Sequence, residues 1–392
     1  MRLPQLPVLK QFKRLTPTLY EAALACKARA VWTAFGQRDA VPQHPRALLG
    51  MSLHAVLEAA HKGQIAPNDE ASCRAAARSI FEMTARDLYD HAHPLLRAKF
   101  KTPERLPYYN LFRERAALLA VDASARSRAR SVDATRPAPV GPSQSSDRAE
   151  AWLTSPDGLL AGRSDYLDPS TGEVVDYKTN IGPEDEPGGI HNSEARQLRL
   201  YVHLGQTAGI KLTKGVVVRA DGRRIVLNVS EQEASAEGQR AREILKSLND
   251  QVGRPFEQLA DPSADNCRYC PCMPSCEPFW NSASPTWAEQ CGSHIEGTIT
   301  SMQRTVAPGA TLLTFGLVVE RGTVTPGPAV VEQLPESWAT ADNTPSPSLG
   351  DRIRLLNARI ADNPSNMIVI RADRLASAIW TVAPSSSTAP TK

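Results

Sequence analysis

The sequence predicts an α/β protein in which a mixed sheet flanked by helices is followed by a separate all-β unit. Three observations lead there. Residues 18–129 are rich in Ala, Leu, Glu and Arg and poor in glycine, which reads as several helices. Between residues 158 and 252, strand-like pairs alternate with helical stretches. After Trp280 the chain turns to short β-rich runs broken by Gly and Pro.

With 392 residues, 41% hydrophobic and 22% charged, the chain suits two globular domains and not a disordered polymer. Its net charge of +3 is compatible with a nucleic-acid partner but does not argue for one. Residues 1–14 lack the apolar core of an export signal, and no stretch approaches a membrane span, so a cytoplasmic, membrane-free protein is expected. In that reducing compartment the seven cysteines are not a disulfide framework. Four of them crowd between Cys267 and Cys276, which points to metal or cluster ligation.

Taken in order, Ser52–His61 and Ala71–Ala92 read as helices, and Val132–Arg148, full of Pro, Ser and Gly, as a flexible loop. Gly158–Lys178 reads as a β-hairpin turning at Asp168-Pro169-Ser170-Thr171-Gly172. Ser193–Gln206 is a helix with Ser193 as its N-cap and Gly209 as its stop. Gly215–Val229 is a second hairpin turning at Asp221-Gly222, and a helix from Ser230 to Val252 leads to the cysteines. Five β-runs follow: His294–Met302, Thr311–Arg321, Ala329–Leu334, Asp351–Ile360 and Asn366–Ile370. Five strands in about a hundred residues fit an OB-like β-barrel over 283–382. Residues 383–392 form a tail of disordered composition.

The chemistry concentrates in two short segments, Gly162-Arg163-Ser164-Asp165 and Val174-Val175-Asp176-Tyr177-Lys178. Strand alternation puts Val174, Asp176 and Lys178 on one face, where a half-buried strand ordinarily spends its apolar side chains. Asp165 can approach Asp176 if the hairpin register permits. Two carboxylates suit Mg²⁺, which keeps waters in its shell, and a neighbouring lysine can orient an attacking water and stabilise developing negative charge. Taken by itself, Asp-Tyr-Lys could equally be a salt-bridged surface strand.

These segments resemble the PD-(D/E)XK nucleases, whose core pairs an Asp on one strand with acid-x-Lys on the next. Two further signatures resemble the RecB/AddB branch: Gly50-Met51-Ser52-Leu53-His54, like its helical Gly-x-x-x-His, and Gln197-Leu198-Arg199-Leu200-Tyr201, like its Gln-x-x-x-Tyr helix. Order and approximate spacing match over residues 15–280. The resemblance implies a restriction-endonuclease-like nuclease domain over 1–282. It further implies catalytic residues Asp165, Asp176, Lys178, Gln197 and Tyr201, with His54, Asp165, Asp176 and Tyr177 around an Mg²⁺ or Mn²⁺ ion. Glu58, one turn from His54, is a possible addition. Ser164 stands where the superfamily name has proline, and Asp176 where it admits aspartate or glutamate.

Cys267-x2-Cys270-x5-Cys276 lets one loop deliver three thiolates to one centre, of zinc or of iron and sulfur. Cys26 occupies the place of the lone N-terminal cysteine of AddB-like enzymes, so the resemblance implies a [4Fe–4S] cluster on Cys26, Cys267, Cys270 and Cys276. A structural Zn²⁺ is the rival; Cys272 is left over, and Cys73 and Cys291 read as incidental. In the barrel, Phe315, Trp338 and Trp380 with Arg352, Arg354, Arg359, Arg371 and Arg374 are candidates for single-stranded DNA, against a structural or protein-docking barrel. Arg126, Arg128 and Arg130 mark a basic stretch.

The expected function is a metal-dependent deoxyribonuclease, an exonuclease or end-processing enzyme on single-stranded DNA, in repair, recombination or defence. No G-x-x-x-x-G-K-[ST] occurs, so a helicase would be a separate partner. The rivals are a catalytically weak DNA-binding or scaffolding module and a zinc-stabilised DNA-binding protein.

Overall fold

The structure, a computed structural model, describes residues 1–37, 40–65, 69–133, 149–179, 189–361, 367–373 and 377–382, with backbone alone over 127–133. The expected loop Val132–Arg148 therefore falls almost wholly outside the described residues, as does the tail 383–392.

The chain begins with helices α1 (Pro17–Ala25), α2 (Lys27–Phe35), α3 (Pro45–His61), α4 (Glu70–Asp90), α5 (Pro94–Lys99) and α6 (Tyr109–Asp133). Their starts are set by local chemistry. Thr16 Oγ1 accepts the Leu19 N–H at 3.3 Å with Pro17 in the first helical position, and Asp69 accepts the Ser72 N–H at 2.8 Å. A sheet follows, built from β1 (Ala149–Thr154), β2 (Ala161–Asp168), β3 (Glu173–Lys178), β4 (Lys214–Arg219) and β5 (Arg224–Asn228) in sequence order. Only β3 and β4 pair in parallel, and α7 (Asn192–Thr207) is the crossover between them. The glycines of both expected turns, Gly172 and Gly222, carry φ of 70° and 88°, a region an L side chain rarely adopts. His191, not Ser193, precedes α7, its N–H held by Glu194 at 3.1 Å. Helix α8 (Glu231–Asn249) opens on a Ser230/Glu233 capping box.

Alternation along the strands splits the packing into two layers. Val174 and Val217 join the core built by α1, α2, α7 and α8, while Val175, Val216 and Val218 join that of α3, α4 and α6. The sheet is thus covered on both faces, a mixed α/β fold in which α3 and α7 approach the same strands from opposite sides.

The chain then passes through α9 (Ala264–Cys267), α10 (Glu277–Ser282) and α11 (Ala288–Cys291) into β6 (Ile295–Ala307), β7 (Ala310–Gly322), β8 (Gly327–Pro335), α12 (Glu336–Ala339), β9 (Arg352–Leu356), β10 (Arg359–Ala361), β11 (Ile368–Arg371) and β12 (Ala378–Val382). Seven strands form one sheet in the order β10-β11-β8-β7-β6-β9-β12, with register shifts in β6 and β7 that curl it. Five were expected: Asp351–Ile360 breaks into β9 and β10 at Asn357 (φ 51°), and β12 was not anticipated. The ladders run from β10 to β12 without closing among the described residues. Met1 packs into this sheet's core, its amino group donating to Ala339 O at 2.8 Å.

Between the two sheets lies the cysteine segment. Cys272 belongs to the core of the first sheet, Cys267 and Cys276 to that of the second, and Cys270 packs against both. Arg354 fastens the seam: its Nε donates to Glu296 at 2.6 Å, its Nη1 to Pro274 O at 2.6 Å, and its Nη2 pairs with Glu277.

His294, buried at the start of the second sheet, uses both ring nitrogens: Nε2 lies 2.8 Å from Cys291 O, and Nδ1 accepts the Asn357 N–H at 3.2 Å. A second proton would meet that N–H, and burial holds the pKa down at about 4. Because the folded pKa lies below the ordinary 6.5, this residue's stability is intact above about pH 6.5 and is lost as pH falls toward 4, by about 3 kcal/mol. We expect His294→Gln to be less stable than wild type at pH 7 but to lose less on acidification, as read by thermal unfolding from pH 7 to 4.5.

Candidate active site

Antiparallel pairing brings the carboxylates together. The β2–β3 register ends at Tyr166↔Val175, so the next rung sets Asp165 opposite Asp176. There the ladder gives way to side-chain chemistry: Asp165 Oδ2 accepts the Tyr177 N–H at 2.7 Å. On the other side of β2, the pairs Ala149↔Tyr166 and Ala151↔Ser164 set Glu150 across from Asp165. Glu150 holds φ at 53°, unusual for a side chain other than Gly or Asn and held only where the surroundings enforce it. Asp165 Oδ1 faces His54 Nδ1 at 3.4 Å. Ligand atoms of His54, Glu150 and Asp165 all lie within 4.8 Å of one another, the one such group of three or more His, Cys, Asp or Glu among the described residues. Glu150 is not marked in the sequence because its place depends on the pairing of β1 with β2, and the hairpin read from the sequence begins only at Gly158, after β1.

Helix α3 delivers His54. Gly50, one turn earlier, lets the helix come close: a Cβ there would stand 3.0 Å from Thr179 Oγ1, at the end of β3. Glu58, a turn further on, pairs with Lys62 at 2.7 Å and approaches Arg163 at 3.6 Å, outside the three-residue group. The Tyr177 side chain turns into the core, its hydroxyl 2.7 Å from His61 Nε2, so at the site this residue offers its main chain.

Helix α7 supplies the other flank. Lys178 Nζ lies 2.7 Å from Asp176 Oδ2 and donates to Gln197 Oε1 at 2.9 Å, while Gln197 Nε2 donates to Asp176 Oδ1 at 3.0 Å. Acid, lysine and amide thus form a closed triangle. One turn on, the Tyr201 hydroxyl donates to Arg163 O at 2.7 Å and its ring covers Gly162, where a Cβ would come within 2.8 Å of it. Gln197 therefore orients Lys178, and Tyr201 fixes the strand that carries Asp165.

Burial pushes the Asp176 carboxyl up to about 6, with Lys178 opposing and Asp165 adding to the shift. Burial and then Asp165 raise Glu150. For His54 burial acts downward, but the Asp165 hydrogen bond and the surrounding carboxylates prevail and raise it. Asp176 Oδ2 is buried and, beyond the contact with Lys178, makes no hydrogen bond of good geometry. These raised carboxyls, the unsatisfied oxygen and the preformed His54/Glu150/Asp165 group fit a hard divalent cation.

All the cysteines are free thiols. Cys26 Sγ accepts the Asp261 N–H at 3.4 Å, at the edge of the cysteine segment, and Cys270 Sγ lies 3.3 Å from Cys272 Sγ. The Cys272 thiol lowers Cys270 to about 7, toward the thiolate that ligation needs. Among the described residues no three cysteine sulfurs come within 4.8 Å of one another, whereas a tetrahedral zinc ion would draw them to about 3.8 Å.

The aromatics expected to stack on DNA in the second sheet serve its core instead: Phe315, Trp338 and Trp380 are all buried. Arg354 is buried in ion pairs, Arg352 pairs with Glu296 and Glu320, and Arg371 with Glu332. Arg374 and the side chains of Arg128 and Arg130 lie outside the described residues; Arg126 pairs with Asp122 at 2.8 Å.

A model of the PD-(D/E)XK nuclease superfamily matches residues 14–277, and the chain belongs to that superfamily. Its members are metal-dependent nucleases, in keeping with the cation-ready group on β1, β2 and α3. No curated protein matches. Among solved structures, the chain is similar to SSO0001, at 18% identity and TM-score 0.22 over 47% of this chain and 84% of that one. It is also similar to the tetrameric p202 HIN2, at 16% identity and TM-score 0.15 over 23% of this chain and 40% of that one. At such scores neither bears on the fold. No helix among the described residues is long and apolar enough to cross a membrane.

Gly162→Ala tests the brace between α7 and β2. The added Cβ must displace Tyr201 or Pro17, and we expect about 1–3 kcal/mol of destabilisation from overpacking. Nuclease activity should fall about tenfold or more, because small displacements of reacting groups are costly. Thermal unfolding and a cleavage assay on the same preparation check both.

Proposed function

We propose that the chain is an Mg²⁺- or Mn²⁺-dependent deoxyribonuclease of the RecB/AddB-like branch, acting on single-stranded DNA or free DNA ends in repair, recombination or defence, alongside a separate helicase. The observation that carries this reading is the His54/Glu150/Asp165 group lying across the β2–β3 pair from the triangle of buried Asp176 with half-buried Lys178 and Gln197. His54, Glu150, Asp165 and Asp176 would hold the cation, which supplies a water of lowered pKa and charge neutralisation at the phosphate. Lys178, aimed by Gln197, hydrogen-bonds the attacking water and stabilises negative charge developing on the phosphate oxygens.

In the same reading Cys26, Cys267, Cys270 and Cys276 hold a [4Fe–4S] cluster. Cys26 from the first core meets the Cys267–Cys276 loop at the seam, which suits one shared centre, and a structural Zn²⁺ on the same thiols is the alternative. Its place between the two cores makes its role structural. We read the curled second sheet as an OB-like unit whose aromatics are spent on its own core.

Two experiments test this. End-labelled single- and double-stranded DNA, incubated with Mn²⁺ or Mg²⁺, should be cut by wild type, while Lys178→Ala should lose at least about a hundredfold in rate. Folded wild type that binds DNA but never cuts it, with either metal, would favour the scaffolding alternative. Anaerobically purified wild type should show the broad visible absorption of an iron–sulfur cluster, and Cys26→Ser should lose most of it; zinc in stoichiometric amount and a colourless wild type would reject the cluster.

A further inference from the structure

Beside the metal group, β1 and β2 carry one more pair, half in water, to which the proposed chemistry gives no part. Trp152 and Arg163 are register partners, so their side chains stand on the same face of the edge of the sheet. Both are open to solvent, Trp152 at 54% and the Arg163 side chain at 53%. A large exposed aromatic on an edge strand is a liability that sequences ordinarily avoid. Here it sits two residues from Glu150, roughly 7 Å along the strand and within reach of a single nucleotide. Arg163 is directed at the site itself: its Nε lies 2.5 Å from Glu150 Oε2 and its Nη2 3.6 Å from Glu58 Oε1. Its backbone is pinned by the Tyr201 hydroxyl.

We propose that Trp152 and Arg163 form the substrate platform of the nuclease site: the base of an unpaired nucleotide stacks on the Trp152 indole while Arg163 holds the phosphate next to it. The chemistry is that of single-strand recognition, in which an aromatic face accepts any base and a guanidinium takes a phosphate oxygen. Charge argues for the arginine. The site gathers Glu58, Glu150, Asp165 and Asp176, which repel a polyanion; Lys178, 24% exposed, is engaged with Asp176 and Gln197, whereas Arg163, 53% exposed, pairs with Glu150 and Glu58 at the surface, where an incoming phosphate can reach its guanidinium. A duplex keeps its bases stacked on each other and cannot present one to the indole, so the platform favours unpaired strands and frayed ends. This rests on the nuclease reading and deepens it by assigning strand preference to two residues of this chain.

The test measures binding of a short oligo(dT) and of a blunt duplex to the full chain, in Ca²⁺ and at several salt concentrations, by anisotropy of end-labelled DNA, with tryptophan emission recorded alongside. Oligo(dT) should quench wild-type emission, and Trp152→Phe should keep near-wild-type affinity while losing most of that quenching. Trp152→Ala should bind oligo(dT) about tenfold more weakly with duplex binding little changed. Arg163→Ala should weaken binding and lower the salt slope by about one. Oligo(dT) affinity unchanged in Trp152→Ala, or an equal loss for oligo(dT) and duplex, would overturn the platform. The two readings fail differently. A wild type inert toward DNA with Mg²⁺ and Mn²⁺ removes the nuclease reading itself. An active wild type whose Trp152→Ala variant cuts single strands at unchanged KM removes the platform alone.

Discussion

The structure turns on the burial of Asp176. A carboxylate on the inner face of a central strand is costly unless its charge is matched and its oxygens are satisfied. Lys178, two residues on, provides the charge, and Gln197 ties acid and lysine together from across the layer. That solution requires a helix directly over β3, which the parallel β3–α7–β4 crossover provides, and it requires that helix to lie close. Gly215 meets this demand as well: a Cβ there would run into Leu198, the residue after Gln197. The glycines at 162 and 215 on one face and at 50 on the other are therefore consequences of one buried acid and the helices that must reach it.

The same logic explains why the site is asymmetric. On the α7 side Asp176 is met by Lys178 and Gln197, with one of its oxygens held by the lysine alone, whereas on the α3 side His54, Glu150 and Asp165 face one another, with the Glu150 carboxyl pKa driven upward by burial and Asp165 and with Arg163 in compensation. One half of the site is pre-organised for a fixed lysine; the other is left electrostatically short of positive charge, which a divalent cation would supply. The cysteine segment solves a different problem. Two hydrophobic cores meet there with little regular structure between them, and the thiols of both, with Cys26 from the start of the nuclease core, converge on that seam. A group bound by these thiols would join residues more than two hundred positions apart, which constrains the unfolded chain far more than any local contact.

Local chemistry made much of this legible in advance. The two hairpins, their turn glycines and the shared face of Asp176 and Lys178 follow from a period of 2 and from turn composition, and the structure has them; Gln197 and Tyr201 are marked by the resemblance, and the structure sets Gln197 against Asp176 and Lys178. Ser193 failed as a cap because the helix starts one residue earlier, with Glu194 reaching back to His191. Glu150 was invisible for a different reason: nothing within its own segment marks it, and only the pairing of β1 with β2 makes it a neighbour of Asp165. In the second sheet the error ran the other way. Phe315, Trp338 and Trp380 have the composition of a stacking surface, but composition does not say which face a strand buries, and in a small curled sheet large aromatics are what fills the interior.

The contrast between those buried aromatics and Trp152 is informative. A tryptophan inside a sheet is explained by the area it removes from water, and nothing more need be asked of it. Trp152 leaves more than half of its surface in water, lies on an edge strand, and has as its cross-strand partner an arginine held against the carboxylates of the site. Stability alone would favour a smaller or charged residue at that position. What it supplies there is a flat, apolar face at the mouth of a site otherwise dominated by charge, complementary to the one part of a nucleic-acid strand that is neither charged nor, when unpaired, already stacked. The position of a side chain relative to the chemistry, more than its type, separates a core residue from a recognition residue.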